Sequence, residues 1–509
     1  MISPGFFSFF NSQRALFTAQ TAMNTVSHNI SNANTPGYSK QRVEMEAHFA
    51  YSAPLLNARQ ESGQIGQGVT ITEINRSRDV FLDASIRQEN SILGTNVNLR
   101  NVLQQLEGIL NEPSTGGING TIQNLFEAAQ ELSLNPESTA VRTEFLQQGI
   151  DLITVFQQQG QQLQDLRRNL VGEPGIAGSF GVSQLAINVQ DINDKLETIA
   201  QLNREILAIT TTGATPNDLF DQRDLMLDEL SQLVDIDVTA TASNQINVEV
   251  AGQLMVRGVT QLDSLEVVEN TGVIDVAFPV PDNDPSLVRT VTGGVTINNL
   301  IQDGAVRGIL TAGGNGTTTT TVRGVLGDLD TLLTEIATQV NALQATGRDI
   351  NGNLSPAPIF DLPVGAGLDL FRYQINPTVL ADPNLVAAAI NDPAATGPPA
   401  GFAGPGDGRN ALLMGQLRDG AFAGLGNTGF VEYFNGVVAN LGIDTRSFEN
   451  RSDAQESLTT SLDLRRQSIS GVNVEEELID MIRFQRAFEA ASKVVQVFDE
   501  IVQNIINIQ

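Results

Sequence analysis

Apolar side chains recur near the start of the chain in steps of three and four. Phe9, Leu16, Ala19, Met23, Val26 and Ile30 form a heptad stripe, with Ser12 in its one polar slot. The stripe predicts a long amphipathic helix over residues 6–31. It stops in SNANTPGYS, residues 31–39, where Asn, Pro36 and Gly37 act together as a breaker. Residues 40–75 mix short alternating runs with Gly63, Gly66 and Gly68, and predict a strand-bearing loop.

Helical spacing then returns and persists. Leu99, Leu103, Leu106 and Leu110 place a helix over 78–111, and a shorter one follows at 119–134. Asn135-Pro136 offers a cap and a first-turn proline for a helix running to about 170. Beyond a glycine-rich linker at 172–181, Leu185, Val189, Ile192, Leu196, Ile199, Asn203, Ile206 and Ile209 keep helical steps, and NDLFDQRDLMLDELSQL completes a helix at 216–234. At Asp235 the period drops from 3.6 to 2. Short alternating segments such as QINVEV, DSLEVV, VIDVAFPV, LVRTV and GVTI, broken by Gly, Pro, Asn and Asp, predict a small antiparallel β domain. Helix resumes at 322–347, gives way to a Pro-, Gly- and Asp-rich stretch over 348–410, and returns at 429–470 with a break expected at Leu441-Gly442.

The last segment is the most regular. Asn473 caps a helix whose first turn holds Glu475, Glu476 and Glu477, read as solvated residues suited to the positive end of the helix dipole. Met481, Phe484, Phe488, Ala491, Val495, Phe498, Val502 and Ile505 alternate steps of 3 and 4, and Leu478, Ile482, Val494, Val497, Ile501 and Ile508 form a second stripe. That is too much apolar surface for a lone helix in water. The fold class is therefore mainly α, terminal coiled-coil helices plus a long-helix bundle, with an inserted antiparallel β domain. The expected domains are 1–45 with 472–509 as a terminal assembly unit, 46–235 with 311–471 as a helical bundle, and 236–310 as an outer β domain.

Composition narrows the function classes. The 509 residues include 29 basic and 58 acidic side chains, a formal net charge of −29, which suits neither nucleic acid nor anionic membranes. Without cysteine there is no disulfide framework, thiol nucleophile or thiolate metal site. No apolar run is long enough to span a bilayer, and MISPGFFSFFNSQRALF lacks the basic opening and cleavage site of a Sec-type signal. Export by another, uncleaved route stays open.

Candidate chemistry is sparse. Gly424-Leu425-Gly426-Asn427-Thr428-Gly429 matches a dinucleotide-binding pattern, but no apolar strand precedes it, so it reads as a turn. Asp349, Asn351 and Asn353 imitate the start of a calcium loop whose Gly and Glu positions are Leu354 and Phe360. His28 and His48 read as surface or packing residues, and Asp221 and Asp224 beside Arg223 as capping and salt-bridging groups. The expectation is no enzyme, no cofactor and no metal.

At the chain ends a resemblance appears. Residues 15–47, ALFTAQTAMNTVSHNISNANTPGYSKQRVEMEA, resemble the N-terminal motif of bacterial flagellar rod, hook and hook-associated proteins. Residues 470–506, SGVNVEEELIDMIRFQRAFEAASKVVQVFDEIVQNII, resemble their common C-terminal motif. NDLFDQRDLMLDELSQLVDI (217–236) and LGDLDTLLTEIATQVNALQATGRDINGN (326–353) are similar to the hook-associated protein 1 family. The resemblance implies a structural protein exported unfolded by the flagellar type III apparatus and located outside the cell. It implies self-assembly in a helical ring at the hook–filament junction, with hook protein on the proximal side and a second junction protein and flagellin on the distal side. It also implies a cytoplasmic export chaperone at the C-terminal stretch, and terminal helices lining the central channel. The assembly residues expected from the two stripes are Leu16, Met23, Val26 and Ile30 with Phe484, Phe488, Val495, Phe498 and Val502. A rod or hook protein, a nucleotide-binding enzyme using the 424–429 loop, and an adhesin built on the β domain are the alternatives.

Overall fold

The computed structural model describes residues 4–49, 66–110, 116–173, 180–241, 243–270, 273–278, 300–315, 321–354, 357–362, 370–396 and 398–507. Helix α1 (Pro4–Ser31) leads into an antiparallel hairpin of β1 (Gln41–Ala47) and β2 (Val69–Arg76), irregular between Glu44 and Met45. The hairpin lies back along α1, whose Asn11 side chain donates to Gly66 O at 3.0 Å and Arg14 to Gln67 O at 2.8 Å.

Five helices follow: α2 (Val80–Leu110), α3 (Ile118–Leu134), α4 (Thr139–Val171), α5 (Gln184–Thr210) and α6 (Asn217–Leu233). The leucines spaced along α2 are buried, as are the α5 positions from Leu185 to Ile206. Helix α4 begins later than Pro136. The Ser138 hydroxyl caps it by accepting from the Val141 N–H at 3.4 Å, which leaves Asn135-Pro136 in the preceding turn.

Strands β3 (Ile236–Ala240), β4 (Ile246–Val250), β5 (Gln253–Arg257) and β6 (Thr260–Gln261) form one antiparallel sheet in chain order. A separate hairpin joins β7 (Glu266–Asn270) to β8 (Val273–Ala277). The strands expected at 287–291 and 294–297 lie outside the described residues. The sheet hangs on α5 through a buried amide. Asn203 Nδ2 donates to Ile246 O at 3.0 Å and Gly258 O at 2.6 Å, while its oxygen accepts from Arg223 at 3.0 Å. Residues 305–310, read from sequence with the β region, form helix α7 (Ala305–Leu310) instead, a segment too short to show a period. A Cβ at its Gly308 would stand 2.9 Å from Thr95 O, so glycine lets it sit tight against α2.

The return half begins with α8 (Val322–Thr346). Two short antiparallel pairs, β9 (Gly347–Arg348) with β12 (Ala389–Ile390) and β10 (Phe360–Asp361) with β11 (Gln374–Ile375), organise the Pro- and Gly-rich stretch around α9 (Pro377–Ala381) and α10 (Arg409–Gln416). The fully buried Arg142 of α4 ties this stretch down by donating to Pro136 O at 2.8 Å and to the carbonyls of Asn384 and Val386. Helix α11 (Phe430–Ser470) runs through Leu441 and Gly442 without a break. A glycine inside a helix costs only about 1 kcal/mol. Here it is outweighed by the buried Phe430, Phe434 and Leu441 on its body side and by packing along α2. Stacked Phe126, Phe430 and Phe422 rings, with centroids 5.5 and 4.3 Å apart, join α3 to the start of α11. Helix α12 (Val474–Asn507) completes the chain and lies against α1.

Candidate functional site

The two chain ends meet in one helix pair. On α1 the fully buried positions are Thr18, Ala19, Ala22, Thr25, Val26 and Asn29, so small residues let α12 approach closely. Of the expected stripe, Ala19 and Val26 are fully buried; Leu16, Met23 and Ile30 are half-buried, displaced by the Ala22 and Asn29 register. On α12, Phe484, Phe488, Val495, Phe498 and Val502 are all half-buried around a buried Ala491, and the Phe9 and Phe498 rings meet at 5.0 Å. Ile505 and Ile508 lie outside the described side chains. The rest of the second stripe stands in solvent, with Ile482 57% and Val497 49% exposed.

A charged clamp closes the base of the pair. Glu477, expected to be solvated, is only 1% exposed. Lys40 Nζ lies 2.7 Å from its carboxylate, and Asn29 Nδ2 donates to it at 2.8 Å. The Asn29 oxygen accepts from the Gln41 N–H at 3.0 Å and the Tyr38 hydroxyl at 2.8 Å. Burial, then the charges of Asp218, Asp221 and Glu477, push the Tyr38 hydroxyl pKa far up, which keeps it a donor. His28 is a packing and pairing residue: Nδ1 sits 3.0 Å from the Tyr38 hydroxyl and Nε2 3.5 Å from Asp218.

Helix α6 fastens this unit to the body. Asp218, Asp221, Asp224 and Asp228 recur every three or four residues and share one face. Asp221 accepts from the Ser39 N–H at 2.9 Å, the Ser39 hydroxyl at 2.7 Å and Arg76 at 2.8 Å. Asp224 receives Arg76 at 2.8 Å, Arg78, and Arg87 at 3.5 Å. Asp228 receives Arg87 at 2.9 Å and Arg466 of α11 at 2.5 Å. Burial works to raise the Asp224 pKa, but the guanidiniums of Arg78, Arg76 and Arg87 outweigh it and hold the carboxyl below its ordinary value. At Asp83, burial wins over Arg78 and Arg87 and the pKa rises. The salt-bridging role read for Asp221 and Asp224 is the one the structure shows; that they gather Arg76, Arg78 and Arg87 was not legible.

The glycine-rich turn at 424–429 is closed on itself, with Phe422 N–H donating to Thr428 O at 3.1 Å and Asn427 N–H to Phe422 O at 2.8 Å. A Cβ at Gly424 would collide with the Glu335 carboxylate, a group that repels phosphate. The Asp349 carboxylate is taken up by its own loop, accepting from the Asn351 and Asn353 N–H groups and the Asn353 side chain, each at 2.8 Å. Among the described residues no acidic or histidine cluster could hold a metal ion, and no helix is long and apolar enough to cross a membrane.

Comparison with known proteins agrees with this anatomy. Residues 103–360 match the family model of the flagellar hook-associated protein FlgK helical domain. Residues 466–508 match that of the flagellar basal body rod FlgEFG protein C-terminal region, and 11–38 that of the flagella basal body rod protein. The chain is 29% identical to flagellar hook-associated protein 1 of Bacillus subtilis, over 97% of this chain and 96% of that one. It is 26% identical to the Escherichia coli protein of the same name, over 98% and 99%. The structure of the flagellar hook junction protein FlgK from Burkholderia pseudomallei superposes with a TM-score of 0.61 at 18% identity, covering 76% of this chain and all of that one, a likeness of fold.

Proposed function

The chain belongs to the family of flagellar hook-associated protein FlgK, and from that premise we propose that its paired terminal helices are the element through which copies associate. As a member of that family it is a structural component of the bacterial flagellum at the junction of hook and filament. The observation that carries the proposal is the unpartnered stripe of α12. Leu478, Ile482, Val494, Val497 and Ile501 are all exposed on a helix whose other face is already used by α1. Covering such half-exposed side chains recovers about 1 kcal/mol apiece, so a neighbouring copy gains several contacts at once. A head-to-tail contact, in which this stripe seats on a different surface of the next copy, would generate a ring or helix.

The finer reading follows the same logic. Copies form a short helical ring, with hook protein on one side and a second junction protein and flagellin on the other. Leu16, Met23, Val26 and Ile30 with Phe484, Phe488, Val495, Phe498 and Val502 hold the helix pair that presents the stripe. A cytoplasmic chaperone covers the C-terminal stretch before export by the flagellar type III route to the cell exterior. An apolar stripe exposed on a free chain supports the need for such a cover. The work is mechanical rather than catalytic: a bending hook and a stiff filament are joined through one layer of subunits.

Ile482→Asp combined with Val497→Asp tests this. Both sites face solvent, so the monomer should keep its circular dichroism and melting temperature while losing the ability to add to isolated hook ends. Incorporation at the unsubstituted level would sink the proposal.

A further inference from the structure

Helix α11 changes character part-way along. Residues 430–441 anchor it in the body through Phe430, Phe434 and Leu441. Beyond Leu441, the residues withdrawn from solvent at 445, 448, 452, 455, 459, 462, 466 and 470 keep steps of 3 and 4, the seam a helix presents to one partner, here α2. Most such seams are built of Leu, Ile and Val. In this one, the fully buried positions of α11 are Thr445, Ser452, Thr459 and Ser470.

Three of those hydroxyls are spent on their own helix. Thr445 donates to Leu441 O at 2.9 Å, Thr459 to Gln455 O at 3.1 Å and Ser470 to Arg466 O at 2.7 Å. Back-bonding of this kind satisfies the hydroxyl, adds nothing across the seam and softens the helix that carries it. Apart from Phe448, which packs against the core, and the half-buried Leu462, cohesion between α11 and α2 therefore rests on a few polar contacts. Arg100 donates to the Ser452 hydroxyl at 2.9 Å and stands 4.0 Å from Asp453, Gln455 donates to Glu89 O at 3.0 Å and to its carboxylate at 2.5 Å, and Arg466 lies 3.7 Å from Asp83. The far end is fixed again, by Arg466 on Asp228 at 2.5 Å and by the Lys40 N–H donating to Ser470 O at 2.8 Å.

We propose that residues 445–466 of α11 are a compliant strut between the body and the terminal helix pair, clamped at both ends and loosely held between them. The strut lets the terminal pair change its attitude while the clamps stay closed. Its use, reconciling one subunit with two unlike polymers, rests on the junction reading; the compliance itself does not.

Amide hydrogen exchange on the full chain tests the strut directly. Amides of 445–466 should exchange at least about ten-fold faster than those of 430–441, because they open with far less apolar packing to break than Phe430, Phe434 and Leu441 impose. Thr445→Val with Thr459→Val, near-isosteric changes that make the seam apolar, should slow exchange over 445–466 alone, and Gln455→Ala should hasten it. Equal protection in the two parts of α11, or no response to the valine pair, overturns the proposal. Adding the valine variant to hook ends separates the two readings. A chain with a stiffened strut by exchange, whose parent never adds to hooks at all, defeats the junction reading and leaves the strut in place.

Discussion

Glu477 and Asp224 show how much one carboxylate carries here. Removing one partner of a buried pair costs about 3–5 kcal/mol, because the other charge is stranded. Glu477→Ala should therefore unpair α1 from α12, and limited proteolysis should then cut inside both helices while the body resists. Asp224→Asn calls for a different readout. Its folded pKa lies below the unfolded value, so its stabilisation is fully present above the unfolded carboxylate pKa of about 4 and is lost as pH falls through the folded value. Unfolding free energies from urea titration of parent and Asp224→Asn should differ by about 3 kcal/mol at pH 7 and converge as pH falls through the lowered folded value; a gap that persists in acid would count against the assignment. Of these groups, the acid spacing on α6 was readable as salt bridging. Glu477 was not: three successive glutamates at a helix start are usually solvated, and nothing in their spacing reveals which one turns inward. One clue was available in Lys40, one of only three lysines in the chain.

At the scale of elements, period was a good guide and boundaries a poor one. The helices from α2 to α6, the fall to period 2 at Asp235 and the two terminal helices appear where the apolar spacing placed them. Local signals misled where tertiary contacts outweighed them, at Leu441-Gly442, at Asn135-Pro136 and in α7. The α1 stripe was set one residue off on Met23 and Ile30, because alanine at 22 and asparagine at 29 carry little hydrophobic signal although they fill the seam. Asn203 was read as part of the α5 stripe, yet it is the peg of the β sheet. Asn203→Leu should leave the Ile246 and Gly258 carbonyls and Arg223 short of a partner, at a cost of about 2–3 kcal/mol. The expected result is early proteolysis within 236–278, with the helices of the body intact. Phe488→Glu puts a charge in the terminal seam and should yield a folded body that no longer adds to hook ends; normal addition would show that this seam is dispensable.

The whole molecule is a closed path, leaving the terminal pair, building the body and returning to the pair. Because α6, β2 and α11 join the two parts mainly through ions, denaturation should proceed in two steps, the pair melting first. A probe on α12 and one on α3 should report separate midpoints in urea, and coincident curves would argue for one cooperative unit. Introduced cysteines suit this measurement, since the chain has none of its own. The Asn29–Glu477 contact joins residues 448 positions apart, and closing a loop of that length costs about 5 kcal/mol of chain entropy. That cost is recovered only when both ends are present and the body between them is complete. A chain cut short by an early stop retains α1 but never forms the helix pair through which we propose that copies associate. On that proposal the fold proofreads its own length: a subunit would become competent to associate only once α12 has been made, and fragments lacking it would exclude themselves from the growing structure.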